Sequence, residues 1–259
     1  MGRNIGRRGE RMLRSWRVTN KFFVAGEERA ARVQDLFAAV APRYDLINDL
    51  QSFGLHRYWK RRVLTLATVR PGMRALDLCC GTGDIALALA REGAEVVGLD
   101  FSAPMLAVAQ QRLENSCAQK NSSVQFLQGD AQHIPFPDAS FDIVTIGYGL
   151  RNLANLDAGL REIQRVARPG ARLLALDFGR PDNALWREIY FAYLGKFVPW
   201  MGRIFCGDPD THSYILESLL HYAGQHGVAA RMEALGLINT RIINFMGGVM
   251  SINYAEKPR

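Results

Sequence analysis

The 259-residue sequence predicts an α/β fold of Rossmann-like type, a mostly parallel seven-stranded sheet with helices on both faces. Three observations carry that expectation. Short apolar runs alternate with helical patterns between residues 75 and 176. A glycine loop, Gly81-Thr82-Gly83, follows the first run and opens a helix. Two late apolar runs flank Gly247-Gly248 and read as an antiparallel closing pair.

In chain order, Glu27–Val40 reads as a helix, with Val33, Leu36, Phe37 and Val40 on one face, ended by Ala41-Pro42. Leu55–Val69 reads as a second helix, closed by Arg70-Pro71-Gly72. The strands follow at Ala75–Leu78, Glu95–Leu99, Val124–Leu127, Phe141–Ile146 and Arg172–Leu176. Helices are expected at Ile85–Arg91, from Ser102 to about Asn115, and at Leu156–Ala167, the last stopped by Arg168-Pro169-Gly170. Such βαβ alternation implies parallel strands with right-handed crossovers. Ile238–Phe245 and Val249–Tyr254 are the late strands. The organisation expected is a basic, disordered tail over 1–26 and one domain over 27–259. Within that domain, 27–70 form a helical cap and 183–226 an aromatic, lid-like insertion. Residues 186–205 of that insertion hold seven aromatic side chains, from Trp186 to Phe205.

The net charge of +7 lies almost wholly in one place. Residues 1–21 carry seven Arg and Lys side chains against Glu10 alone, which leaves the rest of the chain at about +1. A near-neutral body argues against nucleic acid as a partner. Three readings of the tail stand: a solvated leader, a membrane-surface arm using Leu13 and Trp16, or an organellar targeting peptide. No uncharged apolar run approaches the ~20 residues that span a bilayer. The start of the chain shows no signal-peptide core, and the four cysteines have no metal-ligand spacing. A cytoplasmic protein is expected, at most peripheral at the inner face of a membrane.

Gly81 and Gly83 let a ligand approach the backbone, and Asp100 lies 19 positions after Gly81, where an acid can take the hydroxyls of a ribose. Gly81-x-Gly83-x-x-Ala86 also fits a dinucleotide fingerprint, so an NAD(P)-dependent oxidoreductase is the rival. Asp77 ends the first strand, where it would repel a pyrophosphate but reach the amino group of an amino-acid moiety. Asp130 follows the third strand, placed to accept from an adenine amino group. Three acids along one sheet edge suit a cation-bearing nucleoside, S-adenosyl-L-methionine, better than a diphosphate. Turn glycines and capping aspartates account for any one of these residues, but poorly for the ordered set.

Three segments resemble signatures of the ubiquinone/menaquinone biosynthesis C-methyltransferase family. They are Tyr44–Asp49 with Ser52-Phe53-Gly54, His56 and Trp59; Gly149-Leu150-Arg151-Asn152; and Arg165–Gly170 followed by Leu176–Pro181. The resemblance runs from about residue 30 to 255. It implies a class I S-adenosylmethionine-dependent methyltransferase that C-methylates a prenylated quinol. It implies cofactor contacts at Thr82, Asp100, Asp130 and Ala131, and assistance to catalysis from Arg151 and Asn152 with Asp100. Gly147 stands where the family often has a cofactor-touching serine, so only its backbone can serve. Ala171 replaces a second glycine and Asp177 a glutamate.

The chemistry needs a proton acceptor once the ring carbon is attacked. Arginine is a poor base because it stays protonated, so Arg151 would hold a hydroxyl or a water. Tyr44, Asp45 and His56 are the alternative acceptors, with packing roles open for Tyr44 and His56 and a purely structural role open for Arg151. The aromatic segment is a lid or tail groove, or else ordinary helix packing or the face of a homodimer. A non-catalytic cofactor-binding subunit of a quinone-synthesis assembly is the reading from a different class.

Overall fold

The computed structural model describes residues 48–49, 51–115, 124–200 and 210–259. The basic tail, the helix expected at Glu27–Val40, Tyr44 and Asp45 lie outside them, as does the end of the aromatic segment. Helix α1 (Leu55–Ala67) starts after Gly54 in the left-handed region and buries His56, Trp59, Val63 and Ala67 on one stripe. Then come β1 (Arg74–Leu78), α2 (Asp84–Arg91), β2 (Glu95–Asp100), α3 (Ala103–Glu114), β3 (Val124–Gln128) and β4 (Phe141–Gly147). A single 3₁₀ turn, Leu150–Asn152, precedes α4 (Leu156–Val166) and β5 (Ala167–Phe178). The chain continues through α5 (Ala184–Ala192), α6 (Asp210–His221), α7 (Gly224–Ala234), β6 (Ile238–Phe245) and β7 (Met250–Glu256).

The seven strands form one sheet in the order β3-β2-β1-β4-β5-β7-β6. The first five are parallel, and β7 runs antiparallel to both β5 and β6. Side chains split between the faces with the two-residue period of a strand. Leu76, Val97, Val144 and Leu173 pack under α4, α6 and α7, while Ala75, Val96, Ile143 and Leu174 pack under α1 and α2. Both faces are therefore covered, which is why these strands read as apolar runs rather than alternating ones.

Two details differ from the expectation. The segment Arg168-Pro169-Gly170, expected as a stop, lies within β5, which begins at Ala167. Pairing with β4 slips there, from Phe141↔Ala167 to Ile143↔Arg172, so the proline occupies a bulge. Gly170 adopts φ 80 and donates to Lys257 O at 2.9 Å, which ties the bulge to the chain end. The second is that the helix expected over Leu55–Val69 ends at Ala67, where Thr68 turns into the left-handed region at φ 48; the late pair is antiparallel as expected, with β7 inside β6 and all but its last residue buried.

This strand order reverses direction between β1 and β4, and a crevice forms beyond their carboxyl ends. The Thr145 hydroxyl donates to Asp77 Oδ1 across that seam at 2.6 Å.

Candidate active site

The loop after β1 is fixed from two sides. Asp77 is fully buried and takes the Ala86 amide on Oδ2 at 3.0 Å, besides the Thr145 hydroxyl on Oδ1. Burial pushes its pKa up to about 7, against the opposing effect of those two hydrogen bonds. Asp100, at the end of β2, accepts Gly81 N at 2.7 Å and Ser102 N at 2.8 Å. Its carboxyl is also raised by burial, with the backbone amides pulling the other way. The acids expected to meet a ligand thus also brace the loop that would hold it.

The two glycines of the loop divide the work. Gly81, at φ 54, has open space where a side chain would begin and lines the crevice. Gly83, at φ 82, lines none of the cavities described here. A Cβ there would come within 2.9 Å of Phe126 and 3.2 Å of Ala109, so Gly83 serves close packing of the helix start. Thr82 is buried and accepts from Arg112 Nη1 at 3.0 Å.

Three neighbouring cavities share lining residues around the ends of β1 and β4. The first lies between Gly81, Asp100, Asp130, Ala131, Gly147 and Asn152, with Phe101, Met105 and Leu153 as apolar walls. Among the described residues, it contains two carboxylates and no cationic side chain. That donor set fits the hydroxyls and amino group of an uncharged or cationic nucleoside, and it is poor for a diphosphate. A small recess beside it is lined by Lys60, Asp77, Gly81, Thr82, Asp84 and Tyr148. The third cavity is strongly apolar, walled by Trp59, Phe178, Tyr190, Leu194, Ile215 and Met250. Phe53, Trp186, Ile189 and Met246 line this cavity and are also exposed.

Tyr148 lines all three cavities. It adopts φ 59, rare for a bulky residue, and its amide donates to Leu176 O at 2.7 Å. Its carbonyl accepts from Arg151 Nη1 at 2.7 Å and from Asn152 Nδ2 at 3.0 Å. Sequence reasoning missed Tyr148; the signal available was a bulky residue between Gly147 and Gly149 at the end of a central strand. It also missed Lys60 and Asp49.

Arg151 does not present its guanidinium to any of the three cavities. It is buried, pairs with Asp177 Oδ1 at 2.9 Å, and stacks 4.8 Å from the Phe178 ring centroid. Asn152 does line the first cavity, and its Oδ1 accepts from the Tyr214 hydroxyl at 3.0 Å. His56 belongs to the apolar cavity, with Nε2 2.8 Å from Asp49 Oδ1 and Nδ1 buried without a hydrogen-bond partner. His56 and Arg57, in that order, hold the Asp49 carboxyl below the usual range by hydrogen bonding.

A model of the ubiE/COQ5 methyltransferase family matches residues 24–257. A demethylmenaquinone methyltransferase of Desulfitobacterium hafniense is 40% identical over 238 residues, covering 91% of this chain and 93% of that protein. A ubiquinone/menaquinone biosynthesis C-methyltransferase UbiE of Cellvibrio japonicus is 40% identical over 235 residues, covering 90% and 94%. Among solved structures, a SAM-dependent methyltransferase from Aquifex aeolicus superposes with a TM-score of 0.53 at 19% identity, covering 76% of this chain and 88% of that one. The [4+2]-cyclase SpnF gives 0.61 at 17% identity, covering 91% and 98%. At such identities the structures speak for the fold alone, as the cyclase illustrates.

Proposed function

The chain belongs to the ubiE/COQ5 methyltransferase family, and from that premise we propose that it methylates a ring carbon of a prenylated quinol, demethylmenaquinol in preference to a benzoquinol. It is an S-adenosylmethionine-dependent C-methyltransferase of quinone biosynthesis. The observation that carries the substrate reading is the shared wall. Among the described residues, an acidic nucleoside cavity and an apolar cavity share one lining residue, Tyr148.

When bound, the cofactor supplies an electrophilic methyl group on a sulfonium. Asp100 and Asp130 would hold the ribose and the adenine, with Ala131 and the backbone of Gly81 and Gly147 close against them. The apolar walls exclude water from a reaction that neutralises charge, which favours the transfer. As the ring carbon gains the methyl group, its hydrogen must leave as a proton. His56 is our choice of acceptor, at Nδ1, with Nε2–H held by Asp49. Arg151 and Asn152 would assist by fixing Tyr148 rather than by touching the ring.

The isoprenoid tail would lie in the apolar cavity and leave through its exposed rim. Phe53 is 76% exposed and Ile189 51% exposed at that rim, a placement suited to shallow contact with a lipid surface. Among the described residues, no helix is long and apolar enough to cross a membrane.

The test is purified protein with S-adenosylmethionine and either demethylmenaquinol or a desmethyl benzoquinol, read by product mass. Methylation of the naphthoquinol is expected. Turnover of the benzoquinol alone would overturn the ring assignment, and turnover of neither would overturn the quinol reading.

A further inference from the structure

We infer that Lys60 receives the carboxylate at the amino-acid end of the cofactor, making helix α1 part of the cofactor site. The inference rests on the cofactor being S-adenosylmethionine and goes beyond it by naming a residue for a part of the ligand that no other described residue lining these cavities accounts for.

The nucleoside cavity and the small recess share Cys79, Gly81, Gly147 and Tyr148, so one molecule can extend from the first into the second. With the nucleoside on Asp100 and Asp130, the amino-acid end falls in the recess. That end carries a carboxylate, and it needs a cation. Among the described residues, the nucleoside cavity has none and the recess has one, Lys60.

The charges around Lys60 leave room for a second anion. Its Nζ lies 2.5 Å from Asp84 Oδ2, and Arg112 Nη2 lies 2.7 Å from Asp84 Oδ1. One carboxylate therefore serves two cations. Arg112 is tied further to the Thr82 carbonyl and hydroxyl, while an ammonium with three donors has used one on Asp84. The Lys60 side chain is only 14% exposed, so its charge is poorly solvated and gains from a further counter-charge. The ligand's ammonium has a place of its own in the recess, beside Asp77 and Asp84.

The arrangement has a consequence for order. Lys60 belongs to α1, which packs against α2 and β5 from outside the glycine loop. A ligand carboxylate held by Lys60 would pin α1 to that loop. The same helix carries His56 and Trp59 on the wall of the apolar cavity. Cofactor binding would then brace the acceptor side of the site before the acceptor arrives.

The experiment is calorimetry on the full chain with S-adenosylhomocysteine and with its decarboxylated analogue, which keeps the ammonium and lacks the carboxylate. The wild-type protein should favour S-adenosylhomocysteine by roughly ten- to hundred-fold, the size of a charge-assisted hydrogen bond. Lys60→Met should weaken S-adenosylhomocysteine by about that factor and leave the analogue unchanged, so the preference disappears. Lys60→Arg should retain it. Equal binding of the two ligands by the wild type overturns the inference without any variant, as does a Lys60→Met protein weakened equally toward both. Failure of the wild type to bind either ligand would instead overturn the cofactor assignment on which the inference stands.

Discussion

Arg151 donates to the backbone carbonyl of Tyr148 at 2.7 Å while its guanidinium is paired with Asp177 at 2.9 Å. Tyr148 is held in the left-handed region and lines the polar cavity, the recess and the apolar cavity alike. Nothing in the ring itself requires that conformation. The backbone needs partners that over-determine it, and Arg151, Asn152 and Leu176 O supply them.

Arg151→Lys should therefore lower turnover more than cofactor affinity, because a flexible ammonium does not keep the position in which the rigid guanidinium holds Nη1, the one nitrogen that donates to both the Tyr148 carbonyl and Asp177. Tyr148→Ala should share the phenotype, with a raised KM for the quinol and an unchanged Kd for S-adenosylhomocysteine. Arg151→Met should cost roughly 3–5 kcal/mol of stability, since it strands a buried carboxylate. Steady-state kinetics beside calorimetry checks this. Equal losses in turnover and cofactor affinity would show Arg151 to be a general brace rather than a support for Tyr148.

Asp100→Asn should weaken S-adenosylhomocysteine by at least about tenfold. One amide oxygen cannot accept from Gly81 and Ser102 and also meet a ribose, as two carboxylate oxygens can. Unchanged affinity by calorimetry would remove Asp100 from the cofactor site.

His56→Gln and Asp49→Asn should each lower kcat, by about 100-fold or more for the first, with cofactor affinity intact. A His56→Gln protein with full turnover places the proton acceptor elsewhere.

Asp77 should couple stability to pH. Its folded pKa of about 7 lies above its ordinary 3.8, so the folded state holds the proton more tightly than the unfolded one. The stabilisation from that proton is complete below about pH 4 and is lost as pH rises through 7, by up to roughly 4 kcal/mol. Asp77→Asn, which cannot ionise, should flatten this dependence. Urea denaturation of both proteins at pH 5 and pH 8 measures it, and identical slopes would show that Asp77 is ionised throughout.

Ile189→Ser should raise KM for long-tailed quinols and leave short-tailed ones unaffected, because the side chain lines the apolar cavity at its exposed rim. Deleting residues 1–21, which hold most of the net positive charge, should weaken co-sedimentation with anionic vesicles at low salt. If that truncation leaves sedimentation unchanged while Ile189→Ser reduces it, the rim is the membrane contact and the tail is not.

The sequence by itself determined the strands, the glycine loop and the acids at the strand ends. These are written in local patterns: apolar runs that buried parallel strands require, a glycine where a helix begins, an acid where a strand stops. The segments that carry the family resemblance are legible for the same reason, since each is contiguous. Which of these residues line a cavity and which are packed away was set by the assembled fold. Gly81 and Gly83 are equivalent in the pattern, yet Phe126, 43 positions beyond Gly83, closes off one of them. Arg151 stands in a contiguous signature, but its pairing with Asp177, 26 positions on, is seen only in the folded chain. Lys60 is an ordinary helix-surface lysine in the sequence, and only packing brings it to Asp84 and into the recess at Gly81. Periodicity records how much of a residue is buried, but not against what. The partner of a buried charge is chosen by packing between segments distant in the chain, and that choice is made only when the sheet assembles.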